Sequence, residues 1–377
     1  MTQLLTPLQS LEHGNWFKLI CGASYQHLPA VRSLTIAYTL AGADCIDIAA
    51  DTAVIAAVKA GFQVAKTLKP EARRRGYHVS DDLPLLMVSL NDGKDPHFRK
   101  AEFNYENCPI NCPRPCEKVC PAQAIVFNNI KEDFSGIIRE KCYGCGRCLP
   151  ICPYGIIETK SSVVKPQEIA PVIFSQGIDA IEIHTQIGRT KEFQELWQAI
   201  TPYREQLKLI AISCNDGEGL IDYLQTIYRL IMPPPKFLIW QTDGRSMSGD
   251  IGSGTTIATI KLGEKVLKAN LPGYVQLAGG TNNYTVPKLK TLGLLQDLSI
   301  KDDNNIPSTI AGVGYGSYAR VLLSSILDQV TAKEVNHTGL STTIPLEQEQ
   351  ELLWQCVELA YSLVSQIKSS HTLTTSP

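Results

Sequence analysis

The chain has 377 residues, of which 44% are hydrophobic and 19% charged, an ordinary composition for a globular protein. Its formal net charge of −2 argues against a nucleic-acid-binding surface, which would show a basic excess. The sequence contains no run of the roughly 18 apolar residues that a transmembrane segment requires, and its first residues do not resemble a signal peptide. We therefore expect a cytoplasmic protein, in which clustered cysteines indicate metal rather than disulfides.

Short apolar strand patterns alternate with helical patterns along most of the chain. The eight strand patterns lie at residues 17–21, 43–50, 85–90, 180–184, 207–213, 237–240, 274–278 and 308–313. This alternation predicts an α/β fold, a TIM-barrel-like (β/α)8 domain. An open doubly wound sheet would also alternate in this way, but the count of eight and the absence of G-x-G-x-x-G after the first strand favour the barrel.

A cysteine-rich segment interrupts this alternation after the third strand. We assign residues 1–91 to the first part of the barrel, beginning with a lead-in over 1–16 in which Pro7 and Gly14 are expected to break regular structure. Residues 92–162 form an inserted module, and 163–345 form the remainder of the barrel, ending in a polar connector over 331–345. Residues 346–377 are predicted to form a C-terminal helix and a disordered tail.

Eight of the twelve cysteines lie in two runs within this inserted module, and each run ends in Cys-Pro. The second run, from Cys142 to Cys152, has the spacing C-x2-C-x2-C-x3-C-P of bacterial ferredoxins. In two-cluster ferredoxins the fourth cysteine of each run ligates the other cluster, so we predict a ferredoxin-like α+β module with two [4Fe-4S] clusters. The predicted ligands are Cys142, Cys145, Cys148 and Cys120 for one cluster, and Cys108, Cys112, Cys116 and Cys152 for the other.

The first run departs from the ferredoxin pattern, since its spacing is C-x3-C-x3-C-x3-C. A longer loop can still surround a cubane, but one of its cysteines could be displaced, which would leave a labile or [3Fe-4S] cluster. A zinc site with eight cysteines is the alternative. Three closely spaced cysteines suit a cubane better than paired tetrahedral zinc ligands.

Glycines follow the last two predicted barrel strands, at Gly279 and Gly280 and at Gly314 and Gly316. In barrels, backbone N–H groups at this position often hold a phosphate, so flavin mononucleotide (FMN) or another phosphorylated ligand would fit. The alternative is that these glycines only form tight turns.

Two further features lie at the same predicted barrel face. The polar loop 243–254 either lines a ligand site or is a solvated loop, and His184 ends the fourth strand, where a lone histidine is usually structural. No nucleophile–base pair or pair of carboxylates has a spacing that identifies a reaction.

Several segments together resemble one known family. They are Gly22-Ala-Ser-Tyr25, Ala41-Gly-Ala-Asp-Cys-Ile-Asp47, the loop from Thr242 to Asp250, Leu277-Ala-Gly-Gly-Thr281 and the C-x3-C-x3-C-x3-C run. With these segments the chain resembles, over nearly its whole length, the cyanobacterial light-dependent period (LdpA) family.

This resemblance implies an iron–sulfur redox sensor that reports the light-dependent redox state of the cell to the circadian clock. It also implies association with clock proteins, including an input histidine kinase. The residues themselves leave three functions open: a redox sensor, an iron–sulfur flavin-dependent oxidoreductase with its active site at the barrel mouth, and a simple electron carrier. Electron carriers or the quinone pool would exchange electrons with the clusters.

Overall fold

The computed structural model describes most of the chain. The described residues are 5–22, 28–93, 99–120, 123–129, 134–138, 141–142, 148–161, 166–244, 252, 254–295, 309–336 and 344–368. In chain order the strands are β1 (Trp16–Gly22), β2 (Cys45–Ala49), β3 (Leu85–Asn91), β4 (Arg99–Glu102), β5 (Ile125–Asn129), β6 (Phe134–Ile137), β7 (Glu158–Ser161), β8 (Ala180–Thr185), β9 (Leu209–Asn215), β10 (Leu238–Asp243), β11 (Tyr274–Ala278) and β12 (Ile310–Tyr315).

The helices surround these strands or connect them. In chain order they are α1 (Pro7–Glu12), α2 (Leu28–Leu40), α3 (Thr52–Arg74), α4 (Pro115–Val119), α5 (Cys148–Ile151), α6 (Pro166–Phe174), α7 (Thr190–Ile200), α8 (Leu220–Leu230), α9 (Thr255–Lys268), α10 (Thr285–Thr291), α11 (Ser317–Asn336) and α12 (Gln350–Lys368). No helix among the described residues is long and apolar enough to cross a bilayer.

Eight of the strands form a closed barrel, in the order β1-β12-β11-β10-β9-β8-β3-β2. Neighbouring strands pair in parallel all the way round. The barrel strands are buried on both faces, which is why their sequences read as apolar runs rather than as alternating patterns. The predicted (β/α)8 barrel is confirmed, and its strand boundaries moved by only a few residues.

The barrel interior changes from apolar to polar along the strand direction. Near the amino ends of the strands an apolar cluster includes Trp16, Cys45, Ala180 and Ile239. Two residues further along the same strands come four buried polar residues: Lys18, Asp47, Glu182 and Gln241. Side chains two apart on a strand point to the same face, so these polar groups lie in the next interior layer, toward the carboxyl-end mouth.

Helix α1 closes the amino end of the barrel. Thr6 caps this helix with a reciprocal capping box to Gln9, and Pro7 occupies its first turn. Leu11 from α1 is fully buried in the interior apolar cluster. The expected irregular lead-in was therefore wrong over these residues, because a proline that suggested a break instead starts a helix.

The C-terminal helices pack on the outside of the barrel near its first strands. Helix α12 contacts α2 and α11, and Lys368 at its end binds Asp44 at 2.6 Å. The guanidinium of Arg32 on α2 forms a bidentate ion pair with Glu347, just before α12. Helix α11 continues to Asn336, so the predicted connector over 331–345 is helical in its first part. Residues 337–343 lie outside the described part of the chain.

The cysteine-rich segment lies between β3 and α6 and contains two small antiparallel pairs, β4 with β7 and β5 with β6, while its assignment as a ferredoxin-like module stays a prediction. Its apolar core includes Ala101, Ala124, Ile125 and Ile157 together with several cysteines. The Lys100 ammonium on β4 lies 2.9 Å from an Asp51 carboxylate oxygen at the start of α3. This ion pair links the inserted segment to the barrel.

Candidate functional site

Seven of the eight clustered cysteines are described, and each carries a free thiol. Cys145 lies outside the described residues. Four thiols are buried and three are partly buried, and most of them belong to the small apolar core of the inserted segment. The buried thiols are those of Cys112, Cys116, Cys142 and Cys148, and the partly buried thiols are those of Cys108, Cys120 and Cys152.

Backbone N–H groups point at several of these sulfurs. The Sγ atom of Cys142 accepts from the N–H of Ala101 at 3.4 Å, and that of Cys120 accepts from Ala124 at 3.2 Å. The Sγ atom of Cys112 accepts from Arg114, whose N–H lies 3.4 Å away. Arg114 reaches this position in the left-handed conformation, with φ +52°, just before α4. Hydrogen bonds to sulfur stabilise a thiolate, as cluster ligation requires.

The thiols of Cys108, Cys112, Cys116 and Cys152 lie close enough to influence one another electrostatically. Burial, together with the neighbouring Cys112 thiol, raises the pKa of Cys108, and burial raises the pKa of Cys116 to about 11, with smaller contributions from Cys152 and Cys108. Burial opposes ionisation of Cys152, but backbone N–H groups of residues 154–157 together lower its pKa. These four are the cysteines that the crossed-ligand pattern assigns to one cluster.

Three of the four cysteines in the other predicted ligand set are described. They are Cys120, Cys142 and Cys148, and all three belong to the same apolar core. Both sets offer closely placed free thiols with backbone donors around them and no disulfide among the described cysteines. Thiolate donors of this kind fit iron–sulfur clusters. The assignment of individual ligands stays a prediction.

A second polar site occupies the interior of the barrel. The Lys18 ammonium donates to Glu182 Oε2 and, at 2.8 Å, to Gln241 Oε1, and it lies 3.1 Å from Asp47 Oδ2. The amide of Gln241 donates to Glu182 Oε1 at 2.6 Å, and Gln276 donates to Gln241 Oε1 at 2.7 Å. Side chains from β2, β8, β10 and β11 thus join one buried ammonium in a single network.

Nearer the mouth, His184 and Asp243 extend this interior network. The Nε2 atom of His184 lies 3.2 Å from Glu182 Oε1, and its side chain is 39% exposed. Asp243 Oδ2 accepts from the hydroxyl of Ser213, and its Oδ1 lies 3.3 Å from the Gln241 amide nitrogen. We call Glu182, His184 and Asp243 the His–carboxylate cluster; one donor atom from each lies within 4.8 Å of the others.

Burial and neighbouring charges shift the pKa values of this network in opposite directions. Burial raises the pKa of Asp47 to about 7, although the Lys18 ammonium opposes the rise. Burial also acts on Glu182, but Lys18 and His184 outweigh it and lower the pKa of that carboxyl. Burial would lower the pKa of His184, yet the carboxylates of Glu182 and Asp243 raise it. Folding therefore favours the protonated forms of Asp47 and His184 and the ionised form of Glu182.

This interior network was not predicted from the sequence, in which His184 is a lone histidine. A signal was present, because Lys18, Asp47 and Glu182 each lie between two apolar neighbours within a strand. A charged residue at such a position must find a partner inside the barrel. The partners could not be identified, since they lie on strands far apart in the chain.

The predicted glycines form the turns at the mouth. Gly279 and Gly280 have φ values of +58° and +90°, and their carbonyls accept from the hydroxyls of Thr259 and Thr255. A Cβ atom on Gly314 would lie 2.9 Å from the Gln276 amide, so the interior network needs a glycine there. A Cβ atom on Gly316, by contrast, would make only ordinary van der Waals contacts, the nearest at 3.8 Å. A structural reason is thus visible for three of these glycines, while a phosphate or FMN site stays a prediction. Most of the loop 243–254 lies outside the described residues.

Two family profiles match the chain. The profile described as the light dependent period A (LdpA) C-terminal domain matches residues 172–366, and the LdpA Fe-S cluster-binding domain matches residues 108–163. The protein named light dependent period A from Synechococcus elongatus is 45% identical over 364 residues, which cover 97% of this chain and 94% of that protein.

Other similarities are shorter or weaker. Electron transport protein HydN of Escherichia coli K12 is 40% identical over 52 residues, which cover 14% of this chain and 26% of that protein. Among solved structures, a tryptophan synthase from M. tuberculosis reaches a TM-score of only 0.37 at 11% identity, over 96% of this chain and 99% of that one.

Proposed function

Because the chain belongs to the light dependent period A family and carries that family's iron–sulfur domain, we propose that it is a redox sensor of the circadian input pathway. In this proposal it holds two iron–sulfur clusters whose oxidation state follows the light-dependent redox state of the cell. The observation that carries the proposal is the grouping of free thiols with backbone donors in the inserted segment. A cluster bound there would supply reversible one-electron chemistry.

The proposed ligand sets are those of the crossed ferredoxin pattern. Cys120, Cys142, Cys145 and Cys148 hold one [4Fe-4S] cluster, and Cys108, Cys112, Cys116 and Cys152 hold the other. Cys152 contributes to the raised pKa values of both Cys108 and Cys116, so its thiol lies near theirs, which supports the second set. Cys108, Cys112 and Cys116 come from the run with the longer spacing. A labile or [3Fe-4S] cluster would therefore form at the site that these three share with Cys152.

We further propose that the clusters act through the contact between the inserted segment and the barrel. The ion pair between Lys100 and Asp51 connects β4 to the first turn of α3, so a change around the clusters can reach the barrel surface. Partners would read that surface. By family resemblance they are clock proteins, including an input histidine kinase, while electron carriers or the quinone pool would set the cluster state.

This function can be tested in a cyanobacterium in which variants of this protein replace the native copy. The circadian period of each strain is measured at several light intensities. The proposal predicts that Cys142→Ser removes the dependence of period on light intensity. Cys356→Ala, which alters a buried thiol on α12 far from the runs, should retain it. A Cys142→Ser strain with a normal light response would overturn the sensor proposal.

The polar barrel mouth favours a second candidate, an iron–sulfur flavin-dependent oxidoreductase. An ammonium, carboxylates and an imidazole meet near this mouth, and they are groups that could contact a bound substrate or cofactor. A visible spectrum of the purified protein separates the candidates, because stoichiometric flavin in addition to cluster absorbance would favour the enzyme. Cluster absorbance alone would leave the sensor or a simple electron carrier.

A further inference from the structure

The geometry points to a divalent-cation site at the barrel mouth, formed by the His–carboxylate cluster of Glu182, His184 and Asp243. This site is separate from the cysteines, and the inference does not depend on the proposed redox function. Its ligands would be one imidazole nitrogen and one oxygen from each of two carboxylates.

The positions of the donor atoms suit a metal ion. Donors bound at about 2.1 Å from a dication stand roughly 3 to 3.5 Å apart. His184 Nε2 and Glu182 Oε1 already lie 3.2 Å apart, and the third donor, from Asp243, is within 4.8 Å of both. A small side-chain rotation of Asp243 at the open mouth would complete the set.

The surrounding residues hold these ligands in place. The second oxygen of Glu182 accepts from the Lys18 ammonium, and Oδ2 of Asp243 accepts from Ser213. In both carboxylates the other oxygen points toward Gln241, whose amide is fixed in turn by Lys18 and Gln276. Such outer hydrogen bonds orient metal-binding carboxylates in known sites.

The charges of the interior also favour a cation. Within the described part of the chain, three carboxyl groups, those of Asp47, Glu182 and Asp243, share one ammonium, that of Lys18, and the His184 imidazole beside Glu182. The fully buried Asp47 Oδ2 accepts no hydrogen bond from the described residues, although Lys18 lies 3.1 Å away. A dication bound to the neutral imidazole of His184 would add positive charge beside these carboxyl groups.

The site lies where a barrel is open to solvent. Asp243 is the last residue of β10 and His184 the last but one of β8, so both lie at the carboxyl face, and the His184 side chain is 39% exposed. Three protein ligands leave coordination positions free, as in catalytic rather than structural sites. Water or an oxygen atom of a small ligand would occupy them. One imidazole with two carboxylates suits Mn²⁺, Fe²⁺ or Zn²⁺.

Titration with Mn²⁺ tests the site, because thiolates compete poorly for this ion. The full-length protein, purified anaerobically with its clusters, is mixed with MnCl2. Ultrafiltration separates free from bound Mn²⁺, and the free Mn²⁺ in the filtrate is measured by EPR. The expected result is one Mn²⁺ per chain. His184→Ala and Asp243→Asn should each raise the Kd at least tenfold, and Ser213→Ala should raise it severalfold without removing a ligand.

Asp216→Asn is the matched control, since Asp216 is an exposed carboxylate just beyond the carboxyl end of β9. Its Kd should stay within twofold of the unsubstituted protein. Unchanged circular dichroism confirms folding, and Ser213→Ala keeps the test decisive if another variant unfolds. Absence of stoichiometric binding, or equal Kd values in all four variants, would overturn the site.

Discussion

Lys18 is the residue on which the barrel interior depends most. Its ammonium has no exposed surface, and it is held by carboxylates from β2 and β8 and by an amide from β10. Charges removed from water are tolerated only when they are paired and hydrogen-bonded, so these residues must act as a unit.

Replacing Lys18 with methionine should destabilise the barrel strongly. The substitution leaves the carboxylates of Glu182 and Asp47 buried without their ammonium, which we expect to cost about 3–5 kcal/mol of unfolding free energy. Urea unfolding followed by far-UV circular dichroism measures this cost. The double variant Lys18→Met/Glu182→Gln should recover part of it, because it removes one of the two uncompensated charges.

Lys160→Met provides the control for that experiment. Lys160 pairs with Glu102 at 3.5 Å, and both side chains are largely exposed, so its loss should change the unfolding free energy by less than about 1 kcal/mol. If Lys18→Met and Lys160→Met were equally mild, the interior network would not be the structural unit described above.

Among the secondary-structure elements, α12 shows how the C-terminal part is attached to the barrel. Arg32 on α2 holds both oxygens of Glu347, with distances of 2.8 and 2.6 Å. Burial opposes ionisation of Glu347, but the hydrogen bonds from Arg32 outweigh it and lower the pKa of the carboxyl. A carboxyl whose pKa is lowered by folding adds stability above its unfolded pKa and loses it as the pH falls.

Arg32→Gln should therefore destabilise the protein in a pH-dependent way. At pH 7 we expect a loss of about 1 kcal/mol, since the pair is bidentate and only partly exposed. The difference in unfolding free energy between Arg32→Gln and the unsubstituted protein should shrink below about pH 4.5. Glu347 is then protonated in the unfolded chain and increasingly in the folded one. Urea unfolding at about pH 7 and about pH 3.5 measures both values, and a difference independent of pH would contradict this assignment.

The link between the inserted segment and the barrel is also an element-scale feature. Asp51 uses Oδ1 to cap α3 and Oδ2 to bind Lys100, so a change at Lys100 leaves the helix cap intact. Lys160 lies directly opposite Lys100 in the β4–β7 pair but is exposed, and is again the matched control.

Lys100→Met should loosen the inserted segment. We expect amide hydrogen exchange in residues 99–161 to become about fivefold to tenfold faster, which corresponds to about 1 kcal/mol of lost local stability. Mass spectrometry of exchanged peptides measures the rates, with barrel peptides as the internal reference. Equal rates in Lys100→Met and Lys160→Met would show that the ion pair does not hold the segment.

For the whole molecule, the sequence was sufficient to predict the barrel but not what its interior does. The apolar runs of β2, β9 and β12 mark strands buried on both faces, and their alternation with helices leads to a closed barrel. The network around Lys18 depends on barrel closure, which brings Lys18 to Glu182, 164 residues away. Helix α1 was missed because the start of the chain contains residues typical of breaks.

Cluster binding by the cysteine runs, by contrast, can be predicted from the sequence alone, because ligand spacing is a property of a short segment. Cys145→Ser should therefore halve the iron content while the barrel keeps its circular dichroism and its unfolding transition. If the whole protein failed to fold, the clusters would be structural, and the sensor proposal would lose its main support.

The most direct test of the central claim is metal and sulfide analysis of the anaerobically purified protein, combined with EPR during stepwise reduction. Two [4Fe-4S] clusters predict about eight iron atoms and eight sulfides per chain, with two sets of EPR signals that appear on reduction. Stoichiometric zinc without sulfide would contradict the account, because the same cysteines would then form a structural site that carries no electrons.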